Sequence, residues 1–365
     1  MVWGPLQMLI PKRFLGIDIG TSYIKIAEIS RFGHRKKLEN YGTLSATVLY
    51  ERPFRTFEKS SLLLSSQDIA RAIKAVIEEA KIKSSQAFFS IPDFSTFFTN
   101  FELPQMSKEE LEQAVRYEAR SHVPLPLNEV TLDWQIIEGQ LPSQKDSNLK
   151  ILLVAVPNEV INQYREIAQL SQLELIALEA EVFALKRTLI APDERRTVAI
   201  IDIGAQSTTC NIIDRKTLKI SYSFDMSGND LTAALSQGLD LDYERAEDLK
   251  EKYGISSQDL DERGKEVRQI LLPLIDIILR EIEKTVNNFF QKERKEVEKI
   301  IIAGGSAFLP GLKEYFGENF KKEIEIASPF FTSSLFYPPI LENKLKEMGP
   351  GYAIAVGLAL RGLEY

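Results

Sequence analysis

The chain reads Ile17-Asp18-Ile19-Gly20-Thr21-Ser22 near its start and Ile201-Asp202-Ile203-Gly204-Ala205-Gln206-Ser207 in its second half. Each Ile-Asp-Ile-Gly closes an apolar run and precedes small or hydroxyl residues and a second strand-like stretch. The pattern predicts two β-hairpins, each with an Asp just before the Gly of its tight turn. The Gly lets backbone N–H groups approach a phosphate, and the hydroxyls add donors. Two such hairpins face to face would clamp one polyphosphate, with Mg²⁺ neutralising the two carboxylates through its waters.

A third glycine-containing element lies nearer the C-terminal end. Residues 299–303 predict a buried strand, followed by Gly304-Gly305-Ser306 and by a helix through residues 312–316. A strand, a glycine pair and a helix start form a platform on which a flat base can lie without an intervening side chain. Each hairpin alone is compatible with an ordinary Gly turn, and the Gly-Gly-Ser alone is more often structural. The order of all three elements therefore carries the signal.

Composition and charge narrow the class of protein. The chain has 365 residues, enough for two core-forming domains, and a net charge of -7, which argues against a nucleic-acid partner. Its single cysteine, Cys210, permits no internal disulfide and suits a reducing compartment; we expect it to be a packing residue. The two histidines, His34 and His122, are too far apart in sequence to suggest a metal site.

No stretch of the sequence predicts a signal peptide or a membrane span. The most apolar run, residues 270–279, is interrupted by Pro273 and Asp276 and is too short to cross a bilayer. Its apolar residues recur at helical spacing, which predicts a long helix that is kinked at Pro273 and buried along one face. A cytoplasmic protein is therefore expected.

The order of the hairpins and the Gly-Gly-Ser, with these spacings, resembles the actin-like ATPase superfamily, which includes sugar kinases, heat-shock ATPases, actin and the bacterial division protein FtsA. The resemblance implies an α/β fold of the actin-like, ribonuclease H-like type, with two domains around a nucleotide cleft and an inserted α/β subdomain. It implies ATP and Mg²⁺ as cofactors.

The expected domain limits follow from the positions of these elements. The first domain is predicted at residues 1–94, completed by residues 171–196 and 346–365. The inserted subdomain is predicted at residues 95–170 as a strand–helix–strand–strand–helix unit. The second domain is predicted at residues 197–345, with a mainly helical part at residues 228–296.

Two further segments identify a more specific resemblance. In the first, a predicted helix runs into the elbow Pro124-Leu125-Pro126-Leu127-Asn128-Glu129-Val130 and then a strand. The second is the C-terminal Gly349-Pro350-Gly351-Tyr352 with the small residues up to Gly362, which would let a last helix pack tightly against the first domain. Both resemble the PilM family, the actin-like cytoplasmic proteins of type IV pilus assembly, over nearly the whole chain. The two prolines of the elbow would also stiffen any loop.

The superfamily resemblance implies a role for each residue of the cleft. The implied nucleotide-binding residues are Asp18, Gly20, Thr21, Ser22, Lys25, Asp202, Gly204, Ala205, Gln206, Ser207, Glu247, Lys250, Gly304, Gly305 and Ser306. Asp18 and Asp202 would hold Mg²⁺ through water, and Lys25 would contact a phosphate. Glu247 and Lys250, one helical turn apart, would hold the ribose and the base edge. From the residues alone, Lys25 is equally a solvated strand charge, and the Glu-Lys pair is an exposed ion pair.

The sequence gives a weaker indication of catalysis. Glu179 lies where heat-shock ATPases carry an acidic residue, and it is the candidate for orienting or deprotonating water near the γ-phosphate. Glu181 would point elsewhere if its segment begins extended. For either glutamate, capping of the following helix is the alternative. We expect tight Mg-ATP binding with slow or absent hydrolysis.

The resemblance also implies a partner. It predicts binding of the cytoplasmic N-terminal peptide of the inner-membrane protein PilN, in a groove between the first domain and the inserted subdomain. This contact would recruit the chain to the inner face of the cytoplasmic membrane and link it to other pilus inner-membrane and motor components. Candidate groove residues lie on the helix at 107–121 and on the strands that flank it, and include Phe97, Phe98, Phe101 and Tyr117; core packing is their alternative role.

Two other functions remain open at this point. An FtsA-like membrane-associated filament would be expected to carry an amphipathic targeting helix at its end, whereas this sequence stops at residues 362–365 without one. A small-molecule kinase or phosphatase would need a catalytic Asp beside a substrate pocket. Self-association is left open.

Overall fold

A computed structural model describes residues 12–49, 53–55, 62–139, 148–258 and 261–364; residues 1–11 of the predicted first domain lie outside these ranges. The strands are β1 (Lys12–Ile19), β2 (Tyr23–Phe32), β3 (Arg35–Ser45), β4 (Gln86–Ile91), β5 (Phe97–Leu103), β6 (Val130–Glu138), β7 (Leu149–Pro157), β8 (Glu174–Ala180), β9 (Val198–Ile203), β10 (Thr208–Asp214), β11 (Thr217–Phe224), β12 (Lys299–Ala303) and β13 (Glu323–Ile326).

The helices alternate with these strands over most of the chain. They are α1 (Ala46–Leu49), α2 (Ser66–Glu79), α3 (Lys108–His122), α4 (Asn158–Leu170), α5 (Glu181–Leu189), α6 (Gly228–Leu239), α7 (Tyr243–Tyr253), α8 (Glu262–Glu293), α9 (Leu312–Phe320), α10 (Pro329–Thr332) and α11 (Glu342–Gly362). Short 3₁₀ turns cover Asp93–Ser95 and Pro339–Leu341. Among the helices of the described residues, none combines the length and apolar character needed to cross a bilayer.

Two five-stranded sheets share one topology. The first sheet has the order β3-β2-β1-β4-β8 and the second sheet the order β11-β10-β9-β12-β13. In each sheet the first three strands are antiparallel and the last two run parallel to the central strand. The central strands, β1 and β9, end in the two Ile-Asp-Ile-Gly segments. Because their apolar residues are buried, each segment places its Asp and Gly at the carboxyl edge of a sheet centre, where α/β folds bind ligands.

The C-terminal helix packs directly on the first sheet. An added Cβ on Gly16 would lie 1.8 Å from the carbonyl oxygen of Ala355, and one on Gly357 would lie 2.2 Å from that of Ala184. Backbone therefore touches backbone between α11 and both β1 and α5. The predicted role of the small residues, tight packing of a last helix, is confirmed. On the other face of the sheet, α2 and α4 share one apolar core.

The second sheet is covered by α8, which begins at the N-cap Asp261, whose Oδ1 accepts an N–H bond from Gly264 (2.7 Å). The helix runs through Pro273 to Glu293, which confirms the predicted long helix. Its buried side chains follow the predicted spacing: Val267, Leu271, Ile275, Ile278, Ile282 and Phe289. These side chains form one core with β9, β10 and β12.

A smaller antiparallel sheet, with the order β5-β7-β6, lies between β4 and α4 in the chain. We call this sheet together with α3 the three-stranded unit. Its helix begins with a capping box, in which Ser107 N donates to Glu110 Oε2 (2.9 Å) and Glu110 N to Ser107 Oγ (3.3 Å). The unit has its own core, which includes Phe101, Leu111 and Val115. The last helix of the predicted inserted subdomain, α4, contributes its apolar face to the core of the first sheet instead.

Candidate functional site

A cleft of about 830 Å³ lies between the carboxyl ends of β1 and β9. All of the predicted nucleotide-binding residues line it: Asp18, Gly20, Thr21, Ser22, Lys25, Asp202, Gly204, Ala205, Gln206, Ser207, Glu247, Lys250, Gly304, Gly305 and Ser306. The chain thus brings segments from four separate regions of sequence to one cavity. Their role in binding a nucleotide remains a prediction.

The two hairpin turns have matching hydrogen bonds. Gly20 N donates to the carbonyl oxygen of Tyr23, and Gly204 N donates to that of Ser207, both at 2.9 Å. In the first turn, the carbonyl oxygens of Thr21 and Ser22 accept N–H bonds from residues 54 and 46 (2.9 and 2.8 Å). These carbonyl groups are therefore occupied within the protein. An anion at this turn would meet N–H and hydroxyl donors.

The second turn is bonded to the start of α6. Gly228 N donates to the carbonyl oxygen of Gly204 (2.9 Å), and Asn229 N donates to that of Ala205 (3.0 Å). The side chain of Gln206, in the same turn, has a buried Oε1 atom without a hydrogen-bond partner among the described residues. A buried amide oxygen without a donor is uncommon, which fits a turn that is completed by a bound group.

The glycine pair after β12 serves two purposes. Gly304 has a φ of +89°, and an added Cβ would lie 2.4 Å from the carbonyl oxygen of Ile203 and 2.5 Å from Asp202 Oδ1. Only glycine fits there. None of the described residues lies within 4 Å of a Cβ added on Gly305, so this residue leaves open space in the cleft. Phe308, which no sequence motif pointed to, also lines the cleft and is 52% exposed.

The Glu247–Lys250 pair is buried at its basic end. Lys250 is 6% exposed, and its Nζ donates to Glu247 Oε2 (2.7 Å), Thr232 Oγ1 (2.8 Å) and the carbonyl oxygen of Gly228 (3.2 Å). The alternative of an exposed helical ion pair is therefore wrong. The lysine fixes α7 to the start of α6, and it leaves the half-exposed Glu247 facing the cleft.

Two carboxylates stand at the ends of the central strands. Asp18 accepts a hydrogen bond from Ser90 Oγ (2.8 Å) and is paired across β1 and β2 with Lys25, which places both side chains on one face of the sheet. Burial raises the pKa of Asp202 to about 7, and the negative charge of Glu181 adds to the rise. The charge of Lys25 opposes it. The carboxylates of Asp18, Asp202 and Glu181 thus lie close enough for their charges to interact.

Glu181, the first residue of α5, lines the cleft and is 6% exposed. Its Oε1 accepts a hydrogen bond from Arg55 Nη2 (2.8 Å), and its Oε2 accepts one from Asp93 N (3.2 Å). Burial raises the pKa of Glu181 against the opposing charge of Arg55. The condition under which Glu181 would point elsewhere, an extended start to its segment, does not hold, because β8 ends at Ala180 and Glu181 is already the first residue of α5.

Glu179 lies outside the lining of the cleft. Its two carboxylate oxygens accept hydrogen bonds from Arg187 Nη1 and Nη2, both at 2.8 Å, and Arg361 lies 3.5 Å away. Arg187 Nη1 also donates to the carbonyl oxygen of Gly357 (3.1 Å). Glu179 therefore ties the end of β8 to α5 and α11, and no described contact directs it to the cleft.

The predicted peptide-groove residues lie in different surroundings. Phe101 belongs to the core of the three-stranded unit, and Phe97 packs half-buried against that core. Phe98 contacts Phe183 edge-to-face, with 6.2 Å between ring centroids. Tyr117 is 70% exposed on α3, with the Arg120 guanidinium 5.8 Å from its ring centroid. Of these four aromatic residues, Tyr117 alone presents most of its ring to solvent.

No group of three or more His, Cys, Asp or Glu side chains among the described residues is arranged to hold a metal ion. Mg²⁺ does not need such a group, since it keeps several waters and takes one or two carboxylates plus phosphate oxygens. The two carboxylates Asp18 and Asp202 match this requirement.

Comparisons with known proteins agree on the fold. The structure resembles that of a PilM–PilN type IV pilus biogenesis complex, with a TM-score of 0.80 and 24% identity, covering 96% of this chain and 98% of that chain. It resembles MreB 5 of Spiroplasma citri bound to AMPPNP, with a TM-score of 0.50 and 14% identity, covering 92% and 97% of the two chains. The predicted actin-like α/β fold is confirmed.

Sequence comparison gives the family. Cell division protein FtsA of Staphylococcus epidermidis is 21% identical over 356 residues, covering 87% of this chain and 74% of that protein. A family model described as type IV pilus assembly protein PilM matches residues 16–363. The chain therefore belongs to the PilM family of type IV pilus assembly proteins.

Proposed function

We propose that the chain binds Mg-ATP in the cleft and acts as an adaptor of the pilus inner-membrane complex, holding the cytoplasmic N-terminal peptide of PilN. The observation that carries the nucleotide part is the pair of matched turns, at Gly20 and Gly204, at the ends of the two central strands. Both face one cavity, and both are rich in N–H and hydroxyl donors. Paired donor turns of this kind suit a polyphosphate.

The remaining lining suits the other parts of ATP. The open space at Gly305 accommodates a flat base, with the exposed ring of Phe308 beside it, and Glu247 is held at the edge by Lys250. Mg²⁺ would bind near Asp18 and Asp202, mostly through water, and would offset the repulsion between these carboxylates and the phosphates. A solved MreB with a similar fold carries the ATP analogue AMPPNP, which supports the same ligand class.

Hydrolysis is assigned to Glu181 in place of Glu179. Glu181 faces the cleft, has a raised pKa and is held by Arg55 and the backbone of Asp93, so it can orient water or take its proton. The Arg55 ion pair stabilises the ionised base but restrains its movement. We therefore expect slow turnover, with ATP serving mainly to fix the arrangement of the two sheets.

The adaptor role is assigned to the face of α3 that carries Tyr117. This ring is exposed beside Arg120, a pairing of aromatic and basic side chains that is frequent in binding surfaces. A structurally similar protein was solved as a PilM–PilN complex, which supports a PilN peptide as the partner. Through it the chain would be held at the inner face of the cytoplasmic membrane and coupled to the pilus motor and platform.

The test is a calorimetric titration of the protein with the cytoplasmic N-terminal peptide of PilN, with and without Mg-ATP. One-to-one binding at micromolar or tighter affinity is expected, weakened at least tenfold in Tyr117→Ala. A matched control is Tyr222→Ala, which removes an exposed tyrosine of the second sheet. Absence of peptide binding in both nucleotide states contradicts the adaptor role, and sedimentation of ATP-dependent filaments would then favour an FtsA-like polymer.

A further inference from the structure

The 3₁₀ turn Asp93–Ser95 leads from the first sheet into the three-stranded unit, and Asp93 is bonded on both sides of the cleft. Its backbone N–H donates to Glu181 Oε2 (3.2 Å), and its Oδ1 accepts from Val182 N (3.0 Å), at the start of α5. Its Oδ2 accepts from Asn211 Nδ2 (3.3 Å), on β10 of the second sheet. One buried carboxylate thus connects the Glu181 wall of the cleft to the opposite sheet.

The turn is stiff enough to transmit a displacement. The hydroxyls of Ser95 and Thr96 both donate to the carbonyl oxygen of Pro92 (2.8 and 3.0 Å), which also accepts the Ser95 N–H (3.0 Å). The ring of Phe94 lies under the Arg55 guanidinium, 5.2 Å from ring centroid to Cζ. Because β5 begins directly afterwards at Phe97, a shift of Asp93 passes into the three-stranded unit.

The unit also contacts the second sheet farther along. Asn100 Nδ2 donates to the carbonyl oxygen of Lys219 (2.9 Å), and the buried Lys219 amine pairs with Glu138. Lys150 pairs with Glu293 at the end of α8 (2.5 Å). These bonds hold the unit to the second sheet while its chain connections run to the first. Rotation of one sheet against the other must therefore move the unit or break the bonds.

The hydrogen bond between Asn211 and Asp93 is suited to breaking and re-forming as the two sheets move. Its side chain is fully buried, yet its Oδ1 has no partner among the described residues, and its bond to Asp93 is longer than most. A buried amide oxygen left unpaired costs free energy, so Asn211 is only partly satisfied in this arrangement. A small rotation of β10 can change the bond at little cost.

We propose that Asp93 and Asn211 form a joint through which closing of the cleft around nucleotide turns the three-stranded unit, so that nucleotide sets its affinity for the partner peptide. The proposal rests on the proposed function. It predicts reciprocal coupling, in which the peptide changes the affinity for Mg-ATP by the same factor.

Asn211→Leu tests the joint, because it removes the amide at similar volume and Asn211 does not line the cleft. In the wild-type protein, Mg-ATP should change the dissociation constant for the PilN peptide by about fivefold or more. In N211L this ratio should fall below about twofold, with the affinity for Mg-ATP alone unchanged. The matched control is Asn148→Ala, which breaks a bond to Glu102 inside the three-stranded unit (3.1 Å) and should keep the wild-type ratio.

Hydrogen exchange of β5 and β7, with and without Mg-ATP, gives a readout that needs no peptide. Wild type should show a nucleotide-dependent change that N211L loses. The joint is overturned, and the adaptor role stands, if the wild-type protein binds both ligands but its affinity for the peptide is the same with and without Mg-ATP. The joint is also overturned if Mg-ATP changes the peptide affinity of N211L as much as that of the wild-type protein. If the wild-type protein binds no peptide, the adaptor role is contradicted. The joint is then tested separately, and it is overturned if Mg-ATP changes the hydrogen exchange of β5 and β7 in N211L as it does in the wild-type protein. Asn211→Ser replaces N211L if the latter does not fold.

Discussion

Gly304 lies so close to Asp202 that an added Cβ would stand 2.5 Å from the carboxylate Oδ1. A Cβ added on the neighbouring Gly305 would have no described residue within 4 Å. Two adjacent glycines of one motif thus have separate functions, since the first permits the backbone to pass the Asp202 carboxylate and the second keeps the cleft open.

Gly304→Ala should destabilise the free protein, because alanine is strained at a φ of +89° and its Cβ would clash with the backbone of Ile203. We expect a loss of about 2 kcal/mol or more in the free energy of unfolding, measured by urea denaturation. Gly305→Ala should leave that free energy unchanged and weaken Mg-ATP binding instead. Equal effects of the two changes on stability would contradict this division.

Asp93 and Asp214 should respond to pH with opposite signs. Burial and the charge of Glu181 raise the pKa of Asp93 well above its usual value. Burial alone would also raise the pKa of Asp214, but hydrogen bonds from Lys295 and Thr197 lower it on balance. When folding raises the pKa of a carboxyl group, the protein is more stable at low pH, and this stability is lost as the pH rises through the pKa of the folded state. When folding lowers the pKa of a carboxyl group, the group contributes stability at neutral pH, and this stability is lost on acidification.

Asp93→Asn should therefore raise the free energy of unfolding near pH 8, since its amide can also donate to Asn211 Oδ1, which has no partner in the part of the chain that the structure describes. Its benefit should shrink as the pH falls toward 4. Asp214→Asn should lower that free energy near pH 8, by about 1 kcal/mol, because the Lys295 ion pair (2.6 Å) is partly exposed. Urea denaturation from pH 4 to 8 measures both, and slopes of the same sign would refute the assignment.

Substitution of Glu179 should change the stability of the protein, whereas substitution of Glu181 should change its catalysis. Glu179→Gln weakens the bidentate bond to Arg187 and should cost about 3 kcal/mol of unfolding free energy, without changing ATP turnover. Glu181→Gln should slow single-turnover hydrolysis by about a hundredfold while leaving ATP affinity within about twofold. A thermal-melting series and a single-turnover assay on the same two variants decide the matter. Loss of hydrolysis in E179Q alone would restore the sequence-based prediction.

The sequence predicted the parts of the cleft that depend on local backbone requirements. Gly20, Gly204 and Gly304 sit in tight turns or close approaches that few other residues permit, so the motif and the geometry coincide. The role of Glu181 was not predicted, because the choice between Glu179 and Glu181 depends on the residue at which β8 ends. Sequence patterns fix such a boundary poorly.

Arg55 was missed for a different reason. Its position depends on a long-range backbone bond, from Phe54 N to the carbonyl oxygen of Thr21 (2.9 Å), that draws residues 53–55 against the first turn. No spacing in the sequence encodes that contact. The exposed Phe308 carried a signal that could have been used, because it follows the Gly-Gly-Ser by two residues, at the start of the segment that enters α9.

The helix α11 offers a last test of how the first sheet is held together. Gly357→Ala would place a Cβ 2.2 Å from the carbonyl oxygen of Ala184, so α11 and α5 must move apart and the Arg187 bond to the Gly357 carbonyl must lengthen. We expect a loss of about 2 kcal/mol or more, because overpacking of a backbone contact cannot relax by a side-chain rotation.

Gly351→Ala, in the same helix, is the matched control. Its added Cβ would lie 3.5 Å from Lys25 Nζ, an ordinary contact with the end of a flexible side chain. Since alanine is a better helix former than glycine, this change should stabilise the protein by about 0.5–1 kcal/mol. Thermal and urea denaturation of the two variants measure the difference. If both stabilise the protein, α11 is not packed backbone-to-backbone on α5, and the small residues of the C-terminal segment need another explanation.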